Sequence, residues 1–259
     1  MAQLWTEKRV VISPDAADLA ADVAQRLIDR LIRRSTAGKT SHIALSGGGI
    51  AGDVLRALGS HPQRSTVDWS TVHVWWGDEK FLPAGDEERN DVWARRSFLD
   101  HIDIPAANVH AMVSTDDVPD LESAADSYAA ELARFGDDER PWPEFYLCFL
   151  GVGPDGHIAS LFPDRPEIQV TDRSVVGVHN APKPPATRLS LTRPVINSSR
   201  CVWLVLSGVD KAAALGLALA GASYETVPAA GAKGRKRTLF FVDQDAAANV
   251  PPDLIDQEF

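Results

Sequence analysis

Apolar residues recur at helical spacing between Ser13 and Arg34, where Ala20, Val23, Leu27 and Leu31 share one face. Pro14 suits a first helical turn and Gly38 lies past the end, so the stretch reads as an amphipathic helix. It leads into a short apolar run, His42 to Ser46, that stops at Gly47, Gly48 and Gly49, after which Ile50 to Leu58 reads as a second helix. Runs of strand length return at Val72 to Trp76, Phe145 to Leu150, Val175 to Val178, Cys201 to Leu206 and Leu239 to Val242. Helix-like segments lie around Asp91 to Leu99, Leu121 to Phe135 and Lys211 to Ala220. This alternation predicts an α/β fold, a largely parallel sheet with helices on both faces, whose ligands gather at the carboxyl ends of the strands. The polar stretch Gly136 to Pro143 is too short to separate domains, so residues 1–259 are read as one.

Composition narrows the function. With 44% apolar and 24% charged residues the chain can bury a full core, which excludes wholesale disorder. A formal charge of -10, from 36 acidic and 26 basic residues, disfavours nucleic acid and anionic membranes as partners. A small anionic substrate remains compatible with that charge if lysines and arginines cluster locally. The start, MAQLWTEKRV, has no apolar signal core, and no apolar run approaches the roughly 18–20 residues that span a bilayer, so a cytoplasmic location is expected. Cys148 and Cys201 sit in apolar runs and read as buried free thiols; the basic run Lys233, Arg235, Lys236, Arg237 reads as a solvated turn.

Two segments space three glycines in the dinucleotide manner, Gly47, Gly49, Gly52 and Gly151, Gly153, Gly156. Neither fits well, because the acidic residues after Gly52 lie too far on and Pro154 removes an amide. Ser46, Gly47, Gly48 and Gly49 read better as an anion nest, where successive N–H groups and a helix N-terminus face one phosphate. In the second loop Asp155 and His157 pair as orienter and general base. Asp78, directly after the strand Val72 to Trp76, is a further site candidate. The seven histidines do not pair at metal-motif spacings, neither cysteine belongs to a Cys-x-x-Cys pair, and serine-elbow and P-loop motifs are lacking. No metal and no cofactor is expected, which leaves acid and base chemistry.

Taken together the motifs resemble the 6-phosphogluconolactonase family, relatives of the glucosamine-6-phosphate deaminases. The segments are Leu45 to Gly48, Trp76 to Pro83 with Glu88-Arg89-Asn90, Gly151 to Pro163, Lys183-Pro184-Pro185 through Arg188 to Thr192, and Ser207 to Ala212. Ala159 to Pro163 looks like the lactonase continuation rather than the deaminase one. Lys80 stands where many members have arginine. The resemblance implies the fold shared by the deaminases, ribose-5-phosphate isomerases and CoA-transferases. It also implies hydrolysis of 6-phospho-D-glucono-1,5-lactone by a monomer or small homo-oligomer, with a deaminase or a non-catalytic sugar-phosphate-binding protein as alternatives. His157, Asp155 and Asp78 become the expected catalytic groups; Ser46, Gly47, Gly48, Gly49, Arg89, Lys183, Arg188 and Lys211 become the expected substrate and phosphate ligands.

Overall fold

The computed structural model describes residues 8–248 and 250–255. The chain begins with β1 (Lys8–Ser13) and α1 (Ala16–Thr36), whose N-terminus is capped by the Asp15 carboxylate accepting the N–H groups of Ala17 and Asp18. Its apolar face, Leu19, Val23, Leu27 and Leu31, is buried. Then follow β2 (Ser41–Leu45), α2 (Gly49–Ser60), β3 (Val72–Trp76), β4 (Asp78–Lys80), α3 (Asn90–Ser97), β5 (Val109–His110) and α4 (Leu121–Ala133). The second half supplies β6 (Phe145–Gly151), β7 (Val175–Val178), β8 (Arg188–Leu191), α5 (Arg193–Ser198), β9 (Cys201–Leu206), α6 (Ala212–Leu219) and β10 (Arg237–Asp243).

Seven strands form one parallel sheet in the order β1-β10-β9-β6-β2-β3-β5. All six residues of β9 are buried, as expected where both faces of a parallel sheet are covered. From β2 the chain builds towards β3 and β5; from β6 it builds the other way, to β9 and β10. Adjacent strands whose connections diverge leave a crevice at their carboxyl ends, so the loops after β2 and β6 frame a ready-made ligand site.

The expected parallel sheet therefore forms, but β7 is not part of it. Val175–Val178 pairs antiparallel with β8, which pairs with β4, in a separate sheet of three strands. An apolar run of four residues specifies burial, not which sheet receives it. Asp78–Lys80, a charged cluster after the strand Val72 to Trp76, is itself a strand held by backbone pairing to Arg188–Ser190. Both small-sheet and main-sheet side chains join one apolar core. Cys148 and Cys201 are buried free thiols in it.

The amino half of the sheet holds a string of histidines far apart in sequence. His42 stacks on His73 at 4.6 Å, and Nδ1 of His73 lies 3.0 Å from Nε2 of His110. His110 Nδ1 meets Glu131 at 2.9 Å, while Trp75 Nε1 donates to His42 Nδ1 at 3.1 Å. Burial, with the neighbouring imidazoles, lowers His42 to about 3 and also lowers His73. Burial outweighs the Glu131 bond at His110, which is lowered too. The string is a neutral packing unit.

Candidate active site

The carboxyl ends of β2, β3, β6 and β9 surround a cleft of about 550 Å³. Its floor is the loop after β2. Gly48 and Gly49 take left-handed backbone angles, φ 79° and 46°, and α2 starts there with no side chain capping its amides. A side chain at Gly47 would strike Asn90, since a Cβ would lie 2.1 Å from Asn90 Oδ1. The glycines thus bring bare backbone N–H groups to the cleft, the arrangement that suits an anion.

Across the floor, Gly153-Pro154-Asp155-Gly156 forms a tight turn closed by the Gly156 N–H to the Gly153 carbonyl, 3.0 Å. Proline suits the second position of such a turn, and Gly156 takes φ 83° after it. The turn points the Asp155 carboxylate back at residue 157. Its Oδ1 accepts both the His157 backbone N–H, at 3.2 Å, and the ring Nδ1–H, at 2.5 Å. Burial alone would raise Asp155, but the His157 bond and charge hold it at about 2. An ionised Asp155 fixes the proton on Nδ1 and leaves Nε2 as the basic atom. His157 lines the cleft, whereas Asp155 stands behind it.

Phe162, itself buried, lies 4.6 Å from the His157 ring and 5.9 Å from the Arg188 guanidinium carbon. One aromatic ring thus packs against both the base and a cation. Arg188 is pinned from its other side, donating from Nε to Pro185 O at 3.1 Å and from Nη2 to Lys183 O at 3.0 Å. Lys80, Lys183, Arg188 and Lys211 all line the cleft. Four cations at one mouth, outnumbering the lining carboxylates of Asp53, Asp78 and Asp210, supply local positive charge that a chain of charge -10 needs to hold a phosphate. Lys211 also pairs with Asp210 at 2.8 Å.

Asp78 lines the bottom of the cleft and is itself buried. Ser160 donates to its Oδ2 at 2.9 Å and Ser46 to its Oδ1 at 3.3 Å. Burial raises its pKa against the pull of Ser160, Arg188, His157 and Ser46. Ser160 was not singled out by the sequence; it follows Ala159, which takes a left-handed φ of 49° in the cleft wall and turns the next residue under the floor.

Arg89 is the one expected ligand that the fold does not bring to the cleft. Its guanidinium is buried, donating to Met112 O at 2.7 Å, Leu82 O at 3.3 Å and Asp91 Oδ1 at 2.8 Å, with Glu79 at 4.0 Å. It supports Glu79, whose carboxylate accepts the N–H groups of Asn90 and Asp91 and so caps α3 from a neighbouring strand. Burial pushes Glu79 up to about 8 against the pull of Arg89 and the Asn90 amide. The cap sets Asn90, whose Nδ2 donates to Asp78 O at 2.9 Å and whose side chain packs against Gly47. Glu79 and Asn90, like Ser160, are residues that the sequence reading does not place in the site.

This arrangement of loops is matched by known proteins. A family model described as glucosamine-6-phosphate isomerases/6-phosphogluconolactonase covers residues 14–241. The chain belongs to this family. Within it, the 6-phosphogluconolactonase of Streptomyces coelicolor is 43% identical over 250 residues, covering 95% of this chain and 96% of that one. That of Mycobacterium tuberculosis is 43% identical over 244 residues, covering 93% and 98%. The solved 6-phosphogluconolactonase of Trypanosoma brucei shares the fold, with a TM-score of 0.83 at 24% identity over 95% of this chain and all of that one. Family membership and the parallel sheet agree with the resemblance carried by Gly151 to Pro163. Among the described residues no group of three His, Cys, Asp or Glu side chains is placed to hold a metal ion, and no helix is long and apolar enough to cross a membrane.

Proposed function

We propose that this cleft hydrolyses 6-phospho-D-glucono-1,5-lactone to 6-phosphogluconate, the hydrolytic step of the oxidative pentose phosphate pathway. One observation carries the reading: His157, held by an ionised Asp155, faces a cleft whose mouth bears four cations. The curated relatives at 43% identity supply the substrate class. Neutral His157 takes a proton at Nε2 from water as the water oxygen bonds to the lactone carbonyl carbon. When the tetrahedral intermediate collapses, the bond to the ring oxygen breaks and the imidazolium returns its proton to that oxygen. The new carboxylic acid then loses a proton to solvent.

Asp155 stabilises the imidazolium between the two transfers. Lys183, Arg188 and Lys211, with the amides of Gly47, Gly48 and Gly49 and the Ser46 turn, hold the phosphate. Asp78 anchors the floor through Ser46 and Ser160. The stretch Ala159 to Pro163, similar to the lactonase continuation, supports a lactonase over a deaminase, and its Phe162 ring packs against both His157 and Arg188. The continuous core supports a single domain, and the acidic charge supports an enzyme without nucleic-acid or anionic-membrane partners; a cytoplasmic monomer or small homo-oligomer completes the proposal. The test is 6-phosphogluconate formation from fresh lactone, corrected for spontaneous hydrolysis. Ammonia release from glucosamine 6-phosphate in place of lactone turnover would contradict it.

A further inference from the structure

A second cavity, of about 650 Å³, opens at the amino edge of the main sheet, away from the cleft. Lys8 lines it from the first position of β1, Arg193 from α5, and Lys233 from the turn before β10. Among the described residues no carboxylate lines it, although the chain as a whole carries ten more acidic than basic groups. Among the described residues none lines both this cavity and the cleft.

The cations here are held in place rather than loose. Arg193 stacks over the Tyr224 ring at 4.1 Å, and its Nε is buried without a hydrogen-bond partner. The stack fixes the guanidinium, whose charge an anion in the cavity would meet with a charge-assisted hydrogen bond. Gly231 makes the stack possible, since a Cβ there would lie 2.4 Å from Tyr224 Cβ. Lys8 Nζ donates to Ala218 O at 2.7 Å and Ala230 O at 3.0 Å, which leaves one of its three protons for a ligand. Burial and the nearby Lys233 lower Lys8 to about 8, a penalty that a bound anion would reverse.

The rest of the wall is poor in groups for sugar hydroxyls. Asn197 spends its amide on the wall itself, donating to Gly231 O and accepting the Lys233 N–H. Leu219, Ala222 and Leu254 offer apolar surface beside the Tyr224 ring. We infer that this cavity binds a phosphate monoester with a flat apolar body, the chemistry of an aryl phosphate, with the phosphate on Lys8, Arg193 and Lys233.

Isothermal titration of the full-length protein with phenyl phosphate, phenol and inorganic phosphate tests this. Phenyl phosphate should bind at least about ten-fold more tightly than either fragment, and Arg193→Gln and Lys233→Gln should each weaken it about ten-fold or more, as loss of a charge-assisted bond does. Both variants should retain wild-type lactone turnover, which also shows that they fold, and Arg188→Ala should leave phenyl phosphate binding unchanged. Absence of binding at millimolar phenyl phosphate would overturn the inference. So would equal affinity in wild type and the two cavity variants, or loss of binding in Arg188→Ala, which would place the anion in the cleft.

Discussion

A side chain at Gly153 cannot coexist with the ring of His157: a Cβ there would lie 2.0 Å from Nδ1 and 2.6 Å from the Asp155 Oδ1 that Nδ1 meets. The second glycine pattern in the sequence therefore serves the base and its orienter, not a dinucleotide. Gly153→Ala is expected to displace the imidazole from its carboxylate and lower kcat about 10²-fold or more, with little change in thermal midpoint. Wild-type turnover in the purified variant would show that the contact is dispensable.

Arg188 and Lys211 are expected to act on the phosphate alone. Removing one charge-assisted bond, worth about 1.5–3 kcal/mol, should raise KM for the phosphorylated lactone roughly ten-fold or more. Unphosphorylated gluconolactone should be affected little. The measurement is the ratio of kcat/KM for the two lactones in wild type, Arg188→Ala and Lys211→Ala. An unchanged ratio in both variants removes these residues from the phosphate site.

Arg89 separates a structural role from a binding one. Arg89→Ala leaves Asp91 and the Met112 and Leu82 carbonyls without their donor, which costs about 1–3 kcal/mol for each buried group and should lower the thermal midpoint on the order of 10 °C. A stable variant whose only defect is a higher KM would return Arg89 to the ligand set.

The comparison of sequence with structure divides along a physical line. The main strands and the strand-end loops were legible because a buried parallel strand is a continuous apolar run, and Val72–Trp76 and Cys201–Leu206 have the bounds their apolar patterns give. What stayed hidden depends on long-range pairing. Asp78–Lys80 has no strand pattern and is made one by β8, 110 positions along the chain from Asp78 to Arg188. Arg89 looks like a ligand in sequence because nothing local shows that Met112 and Leu82 carbonyls will claim its donors. The same holds for His42, His73 and His110, whose spacings gave no sign that β2, β3 and β5 would stack them.

That string sets an acid limit. In the unfolded chain an imidazole takes up a proton below about pH 6.5, while folded His42 resists until about 3. Between those values the unfolded state binds more protons, so stability falls as pH drops through the window, by a few kcal/mol in order of magnitude. Glu131 and Arg134, which face His110 with opposite signs, shift its share of the loss. Urea midpoints measured from pH 7 to pH 4 should decline, and the decline should be shallower in His42→Asn, which keeps an acceptor for Trp75 Nε1. Identical slopes would assign the acid loss elsewhere.

The account turns on His157 as the base. The decisive measurement is the enzymatic rate of 6-phosphogluconate formation by His157→Ala, above the spontaneous rate, in protein whose thermal midpoint matches wild type. A fall of about 10²- to 10⁴-fold in kcat with KM changed little is predicted, since the ring acts on water and the lactone carbonyl and not on the phosphate. A folded His157→Ala enzyme that turns over lactone at near wild-type rate would contradict it.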